Sequence, residues 1–462
     1  MSTVLFVHAK GGPPLEYALS KVAAKAQVHL LALSELPASS REACTRICAS
    51  VSSSPPQDGQ RDLVALIVDR ARAVGADAVT TSSEYAVVAV ADACEVLGFA
   101  GPGTSCVLAR DKRLMRTVWR DKGVSQPRFR AVASAADLHE AAESLDFPML
   151  LKAAWSAGST AHQILRSPQD VDPAWSHARR VMTESEQLGY AELHVANAGE
   201  DYIVEEIVQG TAEDWFDEPG WGDYVSVEGI VADGEYHPVC LSGRMPTVEP
   251  FTERACITPV PLPRSVQEEI VALARAAVDA LELRNCGTHT EIKLGPDGRM
   301  WVIETAARFG GAMTVPQIEE VFGVDLIGML VDHLLGREVA WPPAVLTPDE
   351  SHHAAGSLVV LAVDSQGTPW PDRRVWDSGL DWPALVSEGS RLSVVTESSL
   401  PDGTVVPVYD PAAGANTMAA LCLLAAVDPV TVIRDFEALV DALPKVLPAA
   451  GETTTRDEEG RR

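Results

Sequence analysis

One segment near residue 300 constrains the fold more than any other part of this 462-residue chain. It reads THTEIKLGPDGRMWVIETAARFGG, with the dipeptide Asp297-Gly298 between two strand-like runs. Asp-Gly is a favoured two-residue hairpin turn, because both residues tolerate the positive φ that the turn requires. With that turn, continued pairing outward places Glu291 directly opposite Glu304. The segment therefore predicts an antiparallel hairpin with two carboxylates on one face.

The opposed glutamates indicate a metal site. Side chains directly across a sheet have Cβ atoms about 4.5 to 5.5 Å apart, and like charges there destabilise the sheet unless a cation neutralises them. Magnesium suits the pair, since it binds few carboxylates and also accepts phosphate oxygens. The period of two places His289 and Lys293 on the Glu291 face. A solvated hairpin is an equal alternative, and a three-residue or bulged loop around Pro296 would shift the register.

A permanent cation follows the second strand of this hairpin. Arg308 comes four residues after Glu304 and precedes Phe309, Gly310 and Gly311, where the backbone can approach a ligand closely. Beside a metal, the guanidinium is a candidate for stabilising a transferred phosphoryl group or a tetrahedral intermediate. Taken alone, such an arginine is usually part of a surface ion pair.

Three further stretches suggest a nucleotide site. The run FPMLLK ends at Lys152 and precedes AAWSAGSTA, whose backbone amides can hold phosphate beside the lysine. The run YIVEEIVQG carries Glu205 and Glu206 near a strand end, where an adenine edge and ribose hydroxyls could bind. Lys112 lies in a basic helix, ARDKRLMRTVWRDKG. The alternatives are a flexible turn, an edge-strand charge pair and a solvated helical lysine.

The rest of the chain predicts an α/β enzyme of several lobes. A chain of this length exceeds what one hydrophobic core organises. In the first 100 residues, strand-like runs alternate with helical stretches, which is typical of a doubly wound parallel α/β lobe. The stretch AWPPAVLTP indicates a boundary near residue 340. The predicted strands are Val4–Val7, Val28–Leu33 and Ala78–Thr81, and the predicted helices are Leu15–Ala26, Leu63–Val74 and Ala86–Leu97.

Charge and cysteine usage exclude several classes of protein. The net charge of -28 repels phosphate backbones and anionic membrane surfaces, so neither nucleic acid nor a membrane is an expected partner. The eight cysteines form no CxxC pair and no zinc-ligand spacing, which favours reduced thiols in a cytoplasm. The apolar run at the N-terminus is too short for a signal peptide or a membrane span.

Taken together and in order, these segments resemble the ATP-grasp superfamily and, within it, the L-amino-acid ligases of the bacilysin-synthetase kind. The resemblance extends from about residue 79 to 336 and is carried by TSSE, ARDKRLMR, YIVEEIVQG, DYVSVEGIVADGEY, FTERACITP, CGTHTEIKL and IETAARFGG. It implies an ATP-grasp fold with an N-terminal α/β domain over 1–107, an ATP-grasp domain over 108–340 with its lid at about 125–206, a C-terminal α+β lobe over 341–450 and a disordered tail over 451–462.

The motifs and the resemblance also imply residue roles. Glu291 and Glu304 are the expected magnesium ligands, for two ions that Mn²⁺ can replace, and Arg308 and Lys152 are the expected catalytic residues. The expected ATP contacts are Lys112, Lys152, Ser159, Glu205, Glu206, Val208 and Lys293. The expected amino-acid contacts are Glu84, Ser159, Glu253, Cys256, His289, Arg308, Gly311 and Ala312, with Glu84 and Glu253 as ammonium partners.

The sequence departs from the bacilysin-type pattern at two positions. Cys256 stands where those ligases carry a histidine, and Ala312 stands where they carry a tryptophan. Losing an indole opens about 100 to 200 Å² of contact surface, so we expect a first substrate larger than alanine. We expect Cys256 to be a small pocket-lining or structural residue rather than a nucleophile. Ala306, where many ATP-grasp enzymes carry asparagine, makes purine-pathway ligases a poor match.

The expected reaction transfers the γ-phosphoryl group of ATP to a carboxylate, and an amine then attacks the acyl phosphate to form an amide. The expected partners are amino acids or short peptides, and the relatives indicate a homodimer. One alternative is another acyl-phosphate ligase or a carboxylate kinase with a non-amino-acid acceptor. A second is an ATP-binding regulatory module without turnover, which has no chemical need for the full set of Lys152, Glu291, Glu304 and Arg308.

Overall fold

The computed structural model describes residues 1–54, 63–156, 161–187, 201–411 and 413–451. The predicted ATP and substrate contact Ser159 and the predicted tail from residue 452 onward lie outside the described residues. Within the described ranges, no helix combines the length and the apolar character needed to cross a bilayer.

The first sheet contains parallel strands in the order β3-β2-β1-β4, which confirms the predicted parallel α/β lobe. The predicted strands and helices of this lobe are all present. Sequence patterns missed α2, which buries only Ala43 and Cys44, and β3, which has one apolar residue in SVSS. The elements are β1 Thr3–His8, α1 Leu15–Ala23, β2 Gln27–Ala32, α2 Ala38–Ile47, β3 Ser50–Ser53, α3 Leu63–Val74, β4 Ala78–Thr80 and α4 Val87–Leu97.

Strand order in this sheet reverses between β1 and β4, and ligands of open α/β sheets bind beyond the carboxyl ends of strands at such a point. The loops that follow these two strands approach each other closely. A Cβ atom on Gly12, whose φ is +86°, would lie 2.3 Å from the carbonyl oxygen of Ser82. Only glycine fits this position, so the close approach of the two loops depends on it.

The predicted single basic helix is instead two helices, α5 Val107–Arg110 and α6 Lys112–Lys122. Asp111 lies between them with extended backbone angles, and its side chain accepts a hydrogen bond from the backbone N–H of Arg113 at 2.9 Å. An aspartate at this position caps a helix, so it starts α6 anew. The break leaves Arg110 at the end of one helix and Lys112 at the start of the next.

The small sheet is antiparallel and has the strand order β5-β8-β6-β7. It falls within the predicted lid and is accompanied by two helices. Its elements are β5 Phe129–Val132, α7 Ala135–Ser144, β6 Met149–Ala153, β7 Gln163–Leu165, α8 Val171–Gln187 and β8 Tyr202–Glu206.

The large sheet is antiparallel, with the order β13-β12-β9-β10-β11-β14-β16-β15. It continues across the predicted boundary at residue 340, because β14, β15 and β16 extend the same sheet. The domain limits themselves stay predictions. The elements are β9 Tyr224–Ala232, β10 Glu235–Arg244, β11 Ala255–Thr258, α9 Arg264–Ala280, β12 Cys286–Leu294, β13 Met300–Ala306, α10 Thr314–Phe322, α11 Leu326–Leu334, β14 Ala354–Val360, β15 Arg391–Val394, β16 Ala420–Ala426 and α12 Pro429–Val446.

The hairpin of β12 and β13 has the predicted glutamate pairing but not the predicted turn. Asp297 and Gly298 have positive φ values of 59° and 72°, yet Leu294 pairs with Met300, so the connection is longer than two residues. This would shift the register by one. A bulge after Glu291 shifts it back, because Ile292 pairs with Val302 while Glu291 pairs with Glu304.

Candidate active site

A cavity of about 670 Å³ lies between the small sheet and the large sheet. Most of the predicted site residues line it, although they come from positions up to 200 residues apart in the sequence. The predicted residues on its wall are Lys112, Lys152, Glu205, Glu206, Val208, Glu253, Cys256, His289, Glu291, Lys293, Glu304, Arg308, Gly311 and Ala312.

The two opposed glutamates form one part of the cavity wall. The side chains of Glu291 and Glu304 keep 24% and 25% of their surface exposed. Each forms an ion pair with one cation: His289 Nε2 lies 3.3 Å from Glu291 Oε1, and Lys112 Nζ lies 3.3 Å from Glu304 Oε1. Burial acts to raise the pKa of Glu291, but His289 outweighs it and holds that pKa below its usual value. Glu291 is therefore ionised at neutral pH.

This donor set fits magnesium. Within the part of the chain that the structure describes, no group of three His, Cys, Asp or Glu side chains is arranged to hold a metal ion. Two accessible carboxylates supply only part of a coordination sphere, and magnesium commonly takes its remaining ligands from phosphate oxygens and water. The arrangement therefore suits an ion that arrives with a nucleotide.

His289 is held by a residue that the sequence analysis missed. Glu228 is completely buried on β9 directly opposite His289, accepts a short hydrogen bond from its Nδ1 atom, and accepts another from the backbone N–H of Gly310 at 2.9 Å. Burial alone would lower the pKa of His289, but Glu228 and Glu291 raise it to about 9. The signal in the sequence was a lone acid within the apolar run YVSVEGIVA.

Elsewhere on the cavity wall, Lys152 forms a short ion pair with Glu205. Glu205 is buried, and Arg116 donates to its second oxygen from Nε at 3.1 Å and from Nη2 at 2.8 Å. Burial would raise the pKa of Glu205, but Arg116 and Lys152 lower it to about 2. This carboxylate is fully engaged by protein cations, so it does not suit the ribose contact that the sequence suggested.

The neighbouring residue Glu206 faces a different set of partners. It accepts a hydrogen bond at 2.8 Å from the backbone N–H of Asp146 and forms an ion pair with Arg128, whose Nη1 lies 2.8 Å from its Oε1. Strand β8 pairs on both sides, so the alternative of an edge-strand charge pair is wrong. Lys293 also lines the cavity, where its charge is paired with Asp223 at 2.6 Å.

Arg110 and Lys112, the two cations that flank Asp111, both donate hydrogen bonds to backbone carbonyls of the chain that follows Lys152. Lys112 Nζ donates to the carbonyl of Ser156 at 2.7 Å, and Arg110 Nη2 donates to the carbonyl of Trp155 at 2.5 Å. The residues on either side of the break between α5 and α6 therefore hold Trp155 and Ser156, which follow Lys152 in the chain. The alternative of a solvated helical lysine is wrong for Lys112, which is buried.

Arg308 lines the cavity with its guanidinium fixed from behind. Its Nε donates to Glu84 at 2.5 Å and its Nη1 donates to the Phe309 carbonyl at 2.8 Å. Glu84 is buried and also lies near Arg110. The prediction was that Glu84 contacts a substrate ammonium group directly; the structure instead places its carboxylate behind Arg308.

Glu253 is the acid on the cavity wall that is best placed to meet a ligand. Its side chain is 42% exposed, and its Oε1 accepts hydrogen bonds from Tyr224 at 2.5 Å and from Arg244 at 3.0 Å. Among the described residues, none is shown donating to Oε2. Arg244 is a second residue that the sequence analysis missed, because it stands in a run with no other charge.

Cys256 and Ala312 also line the cavity. The buried thiol of Cys256 contacts Arg244 Nη1 at 3.0 Å and Gln317 Nε2 at 3.2 Å, and burial raises its pKa. A protonated thiol is a poor nucleophile, which supports the pocket-lining interpretation. Ala312 has a positive φ of 52°, and a Cβ atom on Gly311 would lie 3.7 Å from the Gly12 carbonyl. The first lobe thus comes close to the chain at Gly311.

Residues 145–316 match the model of the ATP-grasp domain. The alanine–anticapsin ligase of Bacillus subtilis (strain 168) is 36% identical over 289 residues, which cover 62% of this chain and 60% of that protein. The D-alanine–D-alanine ligase B of Pseudomonas putida is 24% identical over 252 residues, covering 54% of this chain and 70% of that protein. The chain therefore covers less than two thirds of the length of the first of these curated relatives.

Solved structures show the same fold. The L-amino acid ligase from Bacillus licheniformis superposes with a TM-score of 0.69 at 17% identity and covers 97% of this chain and 98% of its own. The biotin carboxylase from Campylobacter jejuni superposes with a TM-score of 0.65 at 15% identity and covers 96% of this chain and 95% of its own. The predicted ATP-grasp fold is confirmed over nearly the whole chain.

Proposed function

We propose that this chain, which carries an ATP-grasp domain, is an ATP-dependent ligase that joins the carboxylate of an amino acid to the amine of an amino acid or peptide. One observation carries the proposal. The opposed carboxylates of Glu291 and Glu304 and the guanidinium of Arg308 line the same cavity as Lys152. A metal-binding acid pair, a phosphate-binding lysine and an oxyanion-stabilising cation are the groups that acyl-phosphate chemistry needs.

The reaction proceeds in two steps. A substrate carboxylate oxygen attacks the γ-phosphorus of ATP, so the bond to ADP breaks and an acyl phosphate forms. The amine of the second substrate then attacks the acyl carbon, loses a proton and expels phosphate, which leaves an amide. The first step turns a poor electrophile into a reactive one, and the ATP-grasp domain is the unit that binds the phosphoryl donor.

The protein contributes position and charge to these steps. Lys152 and Lys112 bind phosphate oxygens, and Arg308 stabilises the negative charge that develops on the phosphoryl group and on the tetrahedral oxygen. Glu291 and Glu304 would hold magnesium, which neutralises phosphate charge when it is bound. Fixing Arg308 through Glu84 before substrate arrives avoids reorganisation during the reaction.

The substrate end of the cavity supports an amino-acid ligand. The exposed carboxylate of Glu253 can accept hydrogen bonds from an ammonium group. The small side chain of Ala312 leaves room for a first substrate larger than alanine.

The proposal also includes the metal ions, the oligomeric state and the cellular location of the protein. Two magnesium ions, replaceable by Mn²⁺, would accompany ATP at the paired glutamates. We further propose a homodimer in the cytoplasm, where the eight buried, unpaired cysteines would stay reduced. Titration of ATP binding with each metal and light scattering of the purified chain test these points.

The deciding experiment measures phosphate release over pairs of amino acids and short peptides, with mass spectrometry of the products. The expected result is an amide product together with one phosphate per bond formed. ATP binding without amide formation in any pairing would contradict the ligase assignment and favour a regulatory module.

Substituting Ala312→Trp tests the cavity shape. An indole here would refill about 100 to 200 Å² of contact surface and restrict the carboxyl-donating substrate to small side chains. We expect kcat/KM for bulky donors to fall by about tenfold or more relative to alanine. Ala312→Gly is the matched control, because it removes one methyl group and accepts the positive φ of 52° at this position. An unchanged donor profile in the tryptophan variant would contradict the proposed donor subsite.

A further inference from the structure

Two buried arginines behind the cavity wall have no place in the reaction described above. Arg110 at the end of α5 is 1% exposed and Arg116 in α6 is 3% exposed. Each contacts a glutamate that also binds one of the cavity cations, so the same arrangement occurs twice around one helical segment.

The first arrangement contains Arg110, Glu84 and Arg308. The carboxylate of Glu84 is 4% exposed and accepts a hydrogen bond from Arg308 Nε at 2.5 Å on one oxygen. The Nε atom of Arg110 lies 3.7 Å from the other oxygen. Burial would raise the pKa of Glu84, but Arg308, Arg110 and Lys112 outweigh it and hold that pKa below its usual value. The carboxylate is therefore charged and shared by two guanidinium groups.

The second arrangement contains Arg116, Glu205 and Lys152. One oxygen of Glu205 forms the short ion pair with Lys152, and the other accepts the two hydrogen bonds from Arg116. Here too one buried acid is shared by two cations. In both arrangements only one of the two cations lines the cavity: Arg308 in the first and Lys152 in the second.

Each group of one glutamate and two cations has a net positive charge. A glutamate paired with a single cation would cancel its charge, whereas one glutamate between two cations leaves one positive charge in each group. Glu304 and Glu228 also lie near Arg308, but Glu304 pairs with Lys112 Nζ at 3.3 Å and Glu228 pairs with His289. In a partly buried site an unmatched charge acts strongly on a nearby anion, because water screens it poorly.

We propose that Arg110 and Arg116 are positioning residues that keep Arg308 and Lys152 electrostatically active toward anionic ligands by sharing the glutamates that orient them. Each glutamate fixes the direction of a cavity cation, and each buried arginine prevents that glutamate from neutralising it. Arg110 thereby strengthens the attraction of Arg308 for the negative charge of the transition state, and Arg116 strengthens the attraction of Lys152 for the ATP phosphates. The part concerning Arg110 rests on the proposed ligase activity.

The role of Arg110 is tested with one variant that removes its positive charge and one that retains it. Arg110→Met should lower kcat for amide formation by about 10- to 100-fold with little change in KM, whereas Arg110→Lys, which retains the charge, should lose less. The decisive variant is the double substitution Arg110→Met with Glu84→Gln. It removes one positive and one negative charge, so Arg308 regains a net positive charge, and kcat should recover most of the loss.

A purely structural role for Arg110 gives the opposite outcome. Two changes in one buried cluster would then add their damage, and a double variant as slow as Arg110→Met or slower would overturn the proposal. Arg120→Met is the control on the same helical segment, because Arg120 is exposed, pairs with its neighbour Asp121 and does not line the cavity. It should keep the wild-type kcat. Thermal melts identify any variant that fails to fold, and the double variant remains informative if the single one does so.

The test of Arg116 needs no turnover. Calorimetric titration with ATP and magnesium should show Kd raised by about tenfold or more in Arg116→Met, with recovery when Glu205→Gln is added. An unchanged Kd in Arg116→Met, or a further loss in the double variant, would overturn this half. If the wild-type chain binds ATP but forms no amide, the ligase proposal fails while the Arg116 titration still tests the sharing of charge.

Discussion

Glutamates on the cavity wall and directly behind it occupy two opposite electrostatic settings. Glu84 and Glu205 are buried, and each is shared by two protein cations. Glu291 and Glu304 face each other at the surface of the cavity, each with one cationic neighbour at 3.3 Å. The first pair is surrounded by an excess of positive charge, and the second pair lacks it.

This difference shows that the number of cations around a glutamate decides whether it orients those cations or can bind a metal ion. An acid shared by two cations cannot bind a metal ion, but it orients those cations toward an anion. Two opposed acids with few cations leave negative charge that a divalent ion can satisfy. One cavity can therefore receive a metal ion at one part of its wall and phosphate at another.

The largest expected effect comes from the metal-binding side. Glu304→Ala should lower kcat by about a thousandfold or more and remove the magnesium dependence of ATP binding, because the ion loses one of two protein carboxylates. Phosphate release and calorimetry with and without magnesium measure these effects. Glu269→Ala, an exposed change on α9, is the control and should leave both unchanged. Undiminished turnover in Glu304→Ala would refute the metal assignment.

An intermediate effect on stability is expected from the cation-rich side. Glu205→Gln should lower the free energy of unfolding at pH 7 by about 3 kcal/mol, since it leaves Arg116 and Lys152 buried without an anion. The pKa of Glu205 falls from 4.5 to about 2 in the folded state, so its contribution is complete above about pH 4.5 and is lost as pH falls toward 2.

Urea unfolding of Glu205→Gln and wild type at pH 7 and pH 3 measures this difference, which should narrow at the lower pH. Glu140→Gln, an exposed change on α7, is the control and should match wild type at both values. Equal stability of Glu205→Gln and wild type at pH 7 would show that the two cations do not depend on this acid.

The smallest effect is expected from an acid outside the cavity. Glu397 accepts hydrogen bonds at 3.2 and 3.3 Å from the backbone N–H of Glu16 at the start of α1. Among the described residues no cation forms an ion pair with it, and burial and the charge of Glu16 raise its pKa from 4.5 to about 7. Its contribution to stability is therefore complete below about pH 4.5 and is lost as pH rises through 7.

Glu397→Gln should consequently stabilise the protein at pH 8 by about 1 kcal/mol, a figure reduced for solvent screening, and should change little near pH 4.5. Thermal melts at the two pH values measure it, with the exposed Glu388→Gln as control. A loss of stability at pH 8 would mean that the charged form of Glu397 is favourable, and that an acid without a cation is tolerated here.

Sequence patterns predicted well what depends on local pairing. The period of two and the positive φ of Asp297 and Gly298 placed Glu291 opposite Glu304, although the turn was longer than expected and a bulge restored the register. The related dipeptide Asp233-Gly234 does form a two-residue turn, since Ala232 pairs with Glu235. The predicted pairing of Glu291 with Glu304 is therefore correct despite the wrong turn length, because the bulge restores the register.

Sequence patterns failed where function depends on partners distant in the chain. Glu84, Arg110 and Arg308 are brought together by three separate elements, and nothing in the local sequence shows that the acid lies behind the arginine. The same holds for Arg116 and Glu205. The aspartate break inside the basic helix was visible in the sequence, but its effect on the direction of Arg110 and Lys112 required the structure.

The order of strands in the large sheet has a consequence for the growing polypeptide. Strand β11 pairs with β14, which is followed in the sheet by β16 and β15. During synthesis, the metal-binding hairpin emerges from the ribosome before β14, β15 and β16. Until β14 emerges, β11 is an unpaired edge strand whose side chains are buried in the folded protein. Shortened versions of the chain that stop near residue 340 would keep every proposed catalytic side chain and still tend to aggregate, because that edge is never covered.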